Sequence, residues 1–222
     1  MRLYTIQPYS VWESLTQNRV LIADPTMGSH VITPEPEHDF FLKSYDWMRQ
    51  QMKQRVDDYS GNWPWWAWHT WMTHDSGKKV HKPDLRTLRW QQGSGRHVRI
   101  ELEIPDNKVL LSCFDGWHGP LNNRYLTWDE EEEAAFDAAY DAIRPQKYTL
   151  REIHEGNVEA LTKEQQAAFE SLQRRKERSW QRCFDLDWMR NSHYRGADMV
   201  QACFEELHLK YVRGITVFQG KN

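Results

Sequence analysis

Residues 112–126 read SCFDGWHGPLNNRYL and form the densest polar cluster beside an apolar run. Asp115, His118, Asn122 and Asn123 follow KVLLSCF, and loops beside a buried strand commonly carry binding groups. Asn and Asp fix the amides and hydroxyls of a ligand, and His moves protons near neutral pH. The same composition also suits a turn-rich loop that uses Asp, Gly, Pro and Asn for backbone reasons. Trp117 and His118 are not turn residues, which favours a binding role. Cys113 and His118 raise thiol or metal chemistry, but no CxxC, HExxH or HxxxH spacing exists. A lone strand cysteine is more often core, so no metal is expected.

Residues 78–99 carry seven Lys or Arg and one acid, Asp84. Such a stretch could hold phosphate, or could be a solvated loop and strand edge. KPDLR stands apart, because Pro83 and Asp84 suggest a fixed turn presenting Arg86. QQGSGRH lacks the spacing of a phosphate loop or a dinucleotide fingerprint. Upstream, GNWPWWAWHTW places five tryptophans in eleven residues, 61–71. Most of these indoles suit a core strand. One or two, with Trp65 and Trp68 as candidates, could line a pocket and stack on a base or a nicotinamide.

The 222-residue chain is long enough to bury a core and suits a single domain over 1–222. Its net charge of −3 gives no global pull toward nucleic acid or anionic membrane. Three widely spaced cysteines argue against a disulfide framework. The opening MRLYTIQPYSVW has no apolar core of a leader, and no run reaches a membrane span. A cytoplasmic location without membrane partners is expected.

The elements that would position these groups can be read from periodicity. RLYTI is a first strand. Ser10 with Glu13 predicts a capped helix that turns Val11, Leu15 and Trp12 inward. VLIAD is extended, and 28–38, with two prolines, is a loop. Phe41, Tyr45, Met48 and Met52 fall at helical spacing. Pro64 argues against a helix in the tryptophan run. As a strand it puts Trp63, Trp65, Ala67, His69 and Trp71 on one face and Trp66, Trp68 and Met72 on the other, apolar on both. VRIELEIP alternates strictly, turning Val98, Ile100, Leu102 and Ile104 inward. Thr127 with Glu130 predicts a capped helix to Ile143, and Thr162 with Gln165 predicts another to 182. Strands follow over 199–204 and 211–218. The class is α+β, with a helical insertion at about 127–182.

RLYTIQ, SYDWMRQQM, WPWWAW, KPDLR, IELEIPDNKVLLSCFD, LNN, SWQRCFDL and VQACFEEL together resemble an uncharacterised bacterial family, a domain of unknown function. The resemblance spans nearly the whole chain and implies no activity. Similar sequences often carry Asp where this chain has Cys113. The order of elements is also similar to that of ADP-ribosyltransferases of the DarT and RNA 2'-phosphotransferase type. Those have a first strand with a polar NAD contact, a helix ending in a Gly-Leu turn (here SVWESLTQNRVL), and a late strand with a catalytic Glu. Here VQACFEEL supplies Gln201, Glu205 and Glu206, with Gln201 most like the usual Glu position. Asn18 stands where Gly is common.

That second resemblance implies an ADP-ribosyltransferase-like sheet and an NAD-dependent transfer to a macromolecule. Arg2 or Tyr4 would contact the cofactor, an indole of 65–68 would stack on nicotinamide, and Glu205 or Glu206 would stabilise the oxocarbenium-like transition state. The alternatives are a non-catalytic nucleotide or nucleic-acid binding module built from Trp65, Trp68, Lys82, Arg86 and Trp90, or a protein-interaction domain. Absence of a carboxylate in the cleft favours binding over transfer.

Overall fold

The computed structural model describes residues 1–24, 39–73, 79–143, 161–191 and 198–221. The loop expected over 28–38 lies outside them. In chain order the elements are β1 (Arg2–Pro8), α1 (Tyr9–Asn18), β2 (Val20–Ile22), α2 (Asp39–Arg55), β3 (Trp65–Met72), β4 (Lys79–Val80), α3 (Leu85–Gln91), β5 (Gly95–Glu103) and β6 (Leu110–Cys113). Then come α4 (Phe114–Leu121), α5 (Glu130–Ile143), α6 (Lys163–Ser179), α7 (Leu186–Asn191), β7 (Val200–Phe204), β8 (Glu206–His208) and β9 (Val212–Gly220). The class is α+β.

The main sheet runs β6-β7-β3-β1-β5-β9, with β4 joined to the end of β3. All its pairs are antiparallel. β2 and β8 form a separate ribbon. β5 carries the alternation that the sequence shows most clearly. Val98, Ile100 and Leu102 are fully buried and Ile104 nearly so. The register pairs Leu3 with Leu102 and Thr5 with Ile100, so β1 and β5 present one apolar face together. Ala67, Ala202 and Phe204 join that face, and Leu15 of α1 and Leu207 of β8 close it. Each fully buried aliphatic side chain there contributes about 1.5–3 kcal/mol.

The opposite face is covered in two places. Trp66, Leu110 and Cys203 lie with Met48 and Met52 of α2, Trp117 of α4, and Trp180. Farther along, Leu88 of α3 packs with Trp71 and Phe218, against Trp68 and Ile6. α3 itself was not foreseen; Asp84 caps it by accepting from the Arg86 backbone N–H at 2.9 Å.

Several local expectations are corrected. α1 starts at Tyr9 with Pro8 at its cap position, so Ser10 is inside the helix and caps nothing. α5 starts at Glu130, and Asp129, not Thr127, accepts the backbone N–H groups of Glu131 and Glu132. Thr127 instead donates to Glu132 at 2.6 Å. Glu132 also takes both terminal nitrogens of Arg182, each at 2.9 Å, and the Tyr125 hydroxyl at 2.6 Å. The Arg182 hydrogen bonds hold its carboxyl down to about 2. The Thr162–Gln165 capping box is present on α6. α5 and α6 meet through Tyr140 and Phe169, whose rings are 5.8 Å apart. Trp180, at the end of the expected insertion, sits in the second core cluster.

Residues 112–126 are not a loop. Their centre is α4, whose first turn is capped by the Cys113 thiol, with the Gly116 N–H at 3.4 Å. The glycines that suggested turns serve close packing. A Cβ on Gly116 would lie 2.9 Å from Met189 Cε, and one on Gly119 would lie 3.1 Å from Leu126 Cβ. Pro120 falls in the last turn, where the helix ends anyway.

Lys176 of α6 is 2% exposed, and its Nζ has no hydrogen-bond partner among the described residues. Burial pushes its amine down from the ordinary 10.5 to about 8. The unfolded chain therefore holds this proton more tightly than the folded one. The resulting penalty is full below pH 8 and fades as pH rises toward 10.5. Lys176→Met is expected to stabilise the fold at pH 7 by roughly 1–3 kcal/mol. Thermal melts across pH should show the gain over wild type shrinking between pH 8 and 10.5.

Candidate functional site

β3 places the tryptophans, and an irregularity in it decides where they point. Trp65 to Trp68 pair in regular register with Phe204 to Gln201, then the register shifts between Trp68 and Thr70. An extra residue at a bulge reverses the alternation that follows. Trp71, expected on the Trp65 face, therefore lies with Trp68, their rings 4.5 Å apart and edge to face. Trp65 remains on the other face, donating its indole N–H to the Leu21 carbonyl at 3.0 Å.

A cavity of about 230 Å³ opens at this place. Trp66, Trp68 and Trp71 of β3 wall it, with Ile6 and Gln7 of β1 and Gln201 of β7. Leu88 and Gln91 of α3, with Gln92 just beyond, line its remaining side. No lining residue is ionisable. Gln201 is 6% exposed and Trp71 5% exposed. The Gln201 amide nitrogen and the indole nitrogens of Trp66 and Trp71 are buried with no partner among the described residues. A buried donor left unpaired costs about 1–3 kcal/mol. All three belong to residues that line this cavity.

The register extends the floor into a row across the sheet. Ser112 pairs with Gln201, Gln201 with Trp68, Trp68 with Tyr4, and Tyr4 with Glu101. Ser112 is fully buried, and its hydroxyl also has no partner among the described residues. Tyr4 is 3% exposed, and burial raises its hydroxyl, aided by Glu101. Arg2 reaches Glu101 at 3.4 Å and Lys82 reaches it at 4.0 Å. Arg99, which the alternation of VRIELEIP puts on the side opposite Val98 and Ile100, is nonetheless buried and donates to the Pro83 carbonyl at 2.5 Å and to Thr216 at 3.3 Å.

Other expected site residues surround the cavity or lie elsewhere. Phe114 leans on Trp68 at 5.0 Å, and His118 stacks edge-on against Phe114 at 4.8 Å. Asp115, beside them on α4, is half-buried, and burial raises its carboxyl. Asn122 donates to the His118 carbonyl at 2.8 Å and Asn123 takes a left-handed φ of 53°, so both finish α4. Arg86 is exposed and bound to Asp84 at 2.7 and 2.9 Å.

The two glutamates after β7 do not line the cavity. Glu205 accepts from the backbone N–H groups of Ser60 and Asn62 and from the Asn62 amide, at 3.0–3.1 Å. It clamps the turn that leads into β3. Glu206 is exposed in the β2–β8 ribbon, opposite Ile22. Trp71, Gln91 and Gln92 were missed by sequence reasoning. The spacing of Leu88, Gln91 and Gln92 was the available signal. Among the described residues no group of three or more His, Cys, Asp or Glu could hold a metal. None of their helices is long and apolar enough to cross a membrane.

The family described as a domain of unknown function (DUF3841) matches residues 2–211. No curated protein and no solved structure matches the chain.

The unpaired donors give a test that needs no ligand. Replacing Gln201 with Met removes a buried amide without opening a void. The unliganded protein is expected to become as stable as wild type or more so, by up to about 1 kcal/mol. Chemical denaturation checks this. A loss of more than about 1 kcal/mol would mean that the amide serves the fold instead.

Proposed function

The chain belongs to the DUF3841 family, and we propose that it is a non-catalytic binding domain that takes one nucleobase-sized planar group into the tryptophan cavity. The observation that carries this reading is a cavity walled by Trp66, Trp68 and Trp71 and lined by the amides of Gln7, Gln91, Gln92 and Gln201. Indole rings supply faces for a flat ring, and the amides suit its carbonyl and ring-nitrogen acceptors. Neutral glutamine amides suit a neutral heterocycle better than a charged group. At about 230 Å³ the space is below the ~300–1,000 Å³ of pockets for drug-sized ligands. It holds one ring system, not a whole dinucleotide.

NAD-dependent ADP-ribosyl transfer has less support. The lining offers no carboxylate for the ribose, and Gln201 stands where the resemblance would want Glu. Glu205 is occupied by the Ser60–Asn62 turn. Neither comparison supplies a transferase match.

The test is an indole fluorescence titration with uridine, adenosine and NAD. A nucleoside is expected to quench wild type, and NAD to bind no more tightly than adenosine. Gln201→Met should weaken nucleoside binding about tenfold, the loss of one hydrogen bond to a buried partner. If no nucleoside quenches, the base-pocket reading fails. Release of nicotinamide from NAD, lost in Gln201→Met, would instead establish the transfer reading.

A further inference from the structure

α3 has two unlike sides. Leu88 and Gln91, with Gln92 after the helix, fall at i, i+3 and i+4 and turn to the cavity. Arg86, Arg89 and Trp90 fall on the outer side and are exposed. Trp90 is 64% exposed, the most open of the large apolar side chains among the described residues. Lys221 sits over it, with Nζ 5.2 Å from the ring centroid. The Lys221 backbone N–H donates to the Arg89 carbonyl at 2.7 Å, which holds the chain end against the helix.

The charge around Trp90 is one-sided. Within 79–99 the only acid is Asp84, and Arg86 already engages it. Lys79 and Lys82 pair with Asp198 and Glu101. Arg89 and Lys221 form no ion pair among the described residues, whereas Arg96 lies on the α1 side of the sheet, over the Tyr9 ring at 3.6 Å. The whole chain carries −3, so this is a local feature. An open indole among unpaired cations is what single-strand binding requires: a ring for a base and cations for its phosphates.

We infer that the base taken into the cavity belongs to a single-stranded polynucleotide, which passes over α3 and stacks a second base on Trp90. This rests on the base-pocket reading. A base seated among Trp66, Trp68 and Trp71 is unstacked from its neighbours and unpaired, which excludes a duplex at that point. The two sides of a helix lie about 10 Å apart, a span that a few nucleotides bridge. Arg89 and Lys221 would meet the backbone between them.

The experiment measures anisotropy of labelled oligouridylate and oligothymidylate, with uridine and thymidine titrated by fluorescence as monomers. The oligomers are expected to bind at least about tenfold more tightly than their monomers at low salt. With two cations engaged, the log–log salt slope should be about −1.4, at about 0.7 per phosphate contact. Trp90→Ala and Arg89→Ala should each remove most of the oligomer gain and leave monomer binding unchanged. Preference for one oligomer over the other assigns RNA or DNA within the same inference. Oligomers no tighter than monomers, or a gain that survives both substitutions, would overturn it while the base pocket stands. An equally tight duplex would also overturn it, and so would a Trp90 that serves only a protein partner and leaves oligomer binding intact. If the monomers do not bind, the base pocket falls and takes this inference with it.

Discussion

The register shift in β3 is the constraint on which the site depends. Up to Trp68 the strand alternates regularly, sending Trp65 and Ala67 to the α1 side and Trp66 and Trp68 to the other. A regular continuation would send Trp71 under α1, where Leu3, Leu15 and Ile100 already fill the space. The bulge turns Trp71 back beside Trp68 instead. That creates a second indole wall and gives Leu88 of α3 its packing partner. Strand irregularities that re-aim a side chain are common beside functional sites. Glu205 secures the start of the same strand by holding the Ser60–Asn62 turn.

An indole-rich core must satisfy the indole N–H groups as well as bury the rings. Two rings outside the cavity do so. Trp65 donates to Leu21 and Trp180 to Arg124, at 3.0 and 2.7 Å. The same chain leaves Trp66 and Trp71 unpaired, and adds Gln201 and Ser112 in adjoining strands. Those four come from three neighbouring strands of one sheet. Lys176, on α6, is a further buried donor outside the lining of the cavity.

Periodicity reported what depends on local spacing. β5 buries Val98, Ile100 and Leu102, with Ile104 just beyond it, as the alternation selects, and α2 buries Met48 and Met52. The tryptophan run is a strand covered on both sides. What periodicity cannot carry is a change of phase or the reason for a glycine. The bulge is invisible to a count of two, so Trp71 was put on the wrong face. Gly116 and Gly119 read as turn residues, but their missing Cβ atoms let Met189 and Leu126 approach. Gln91 and Gln92 matter only because α3 packs on β9 and β3, a tertiary fact that a seven-residue helix does not announce. Gln201 was recognised by its position in VQACFEEL. Its depth in the sheet then distinguishes it from Glu205 and Glu206, which follow the strand out of the core.

The site thus divides into an uncharged interior and a charged exterior separated by one helix. Inside, hydrogen-bond geometry and ring shape can discriminate among planar groups. No lining residue titrates, so that discrimination needs no particular protonation state of the lining. Outside, Arg89 and Lys221 would act through long-range attraction, which raises encounter and affinity without distinguishing one base from another. In the proposed reading, recognition resides in the cavity and attraction in the outer surface. The short helix that carries Leu88 inward and Trp90 outward would couple the two, so its placement by Leu88 on Trp71 matters to both halves of that reading.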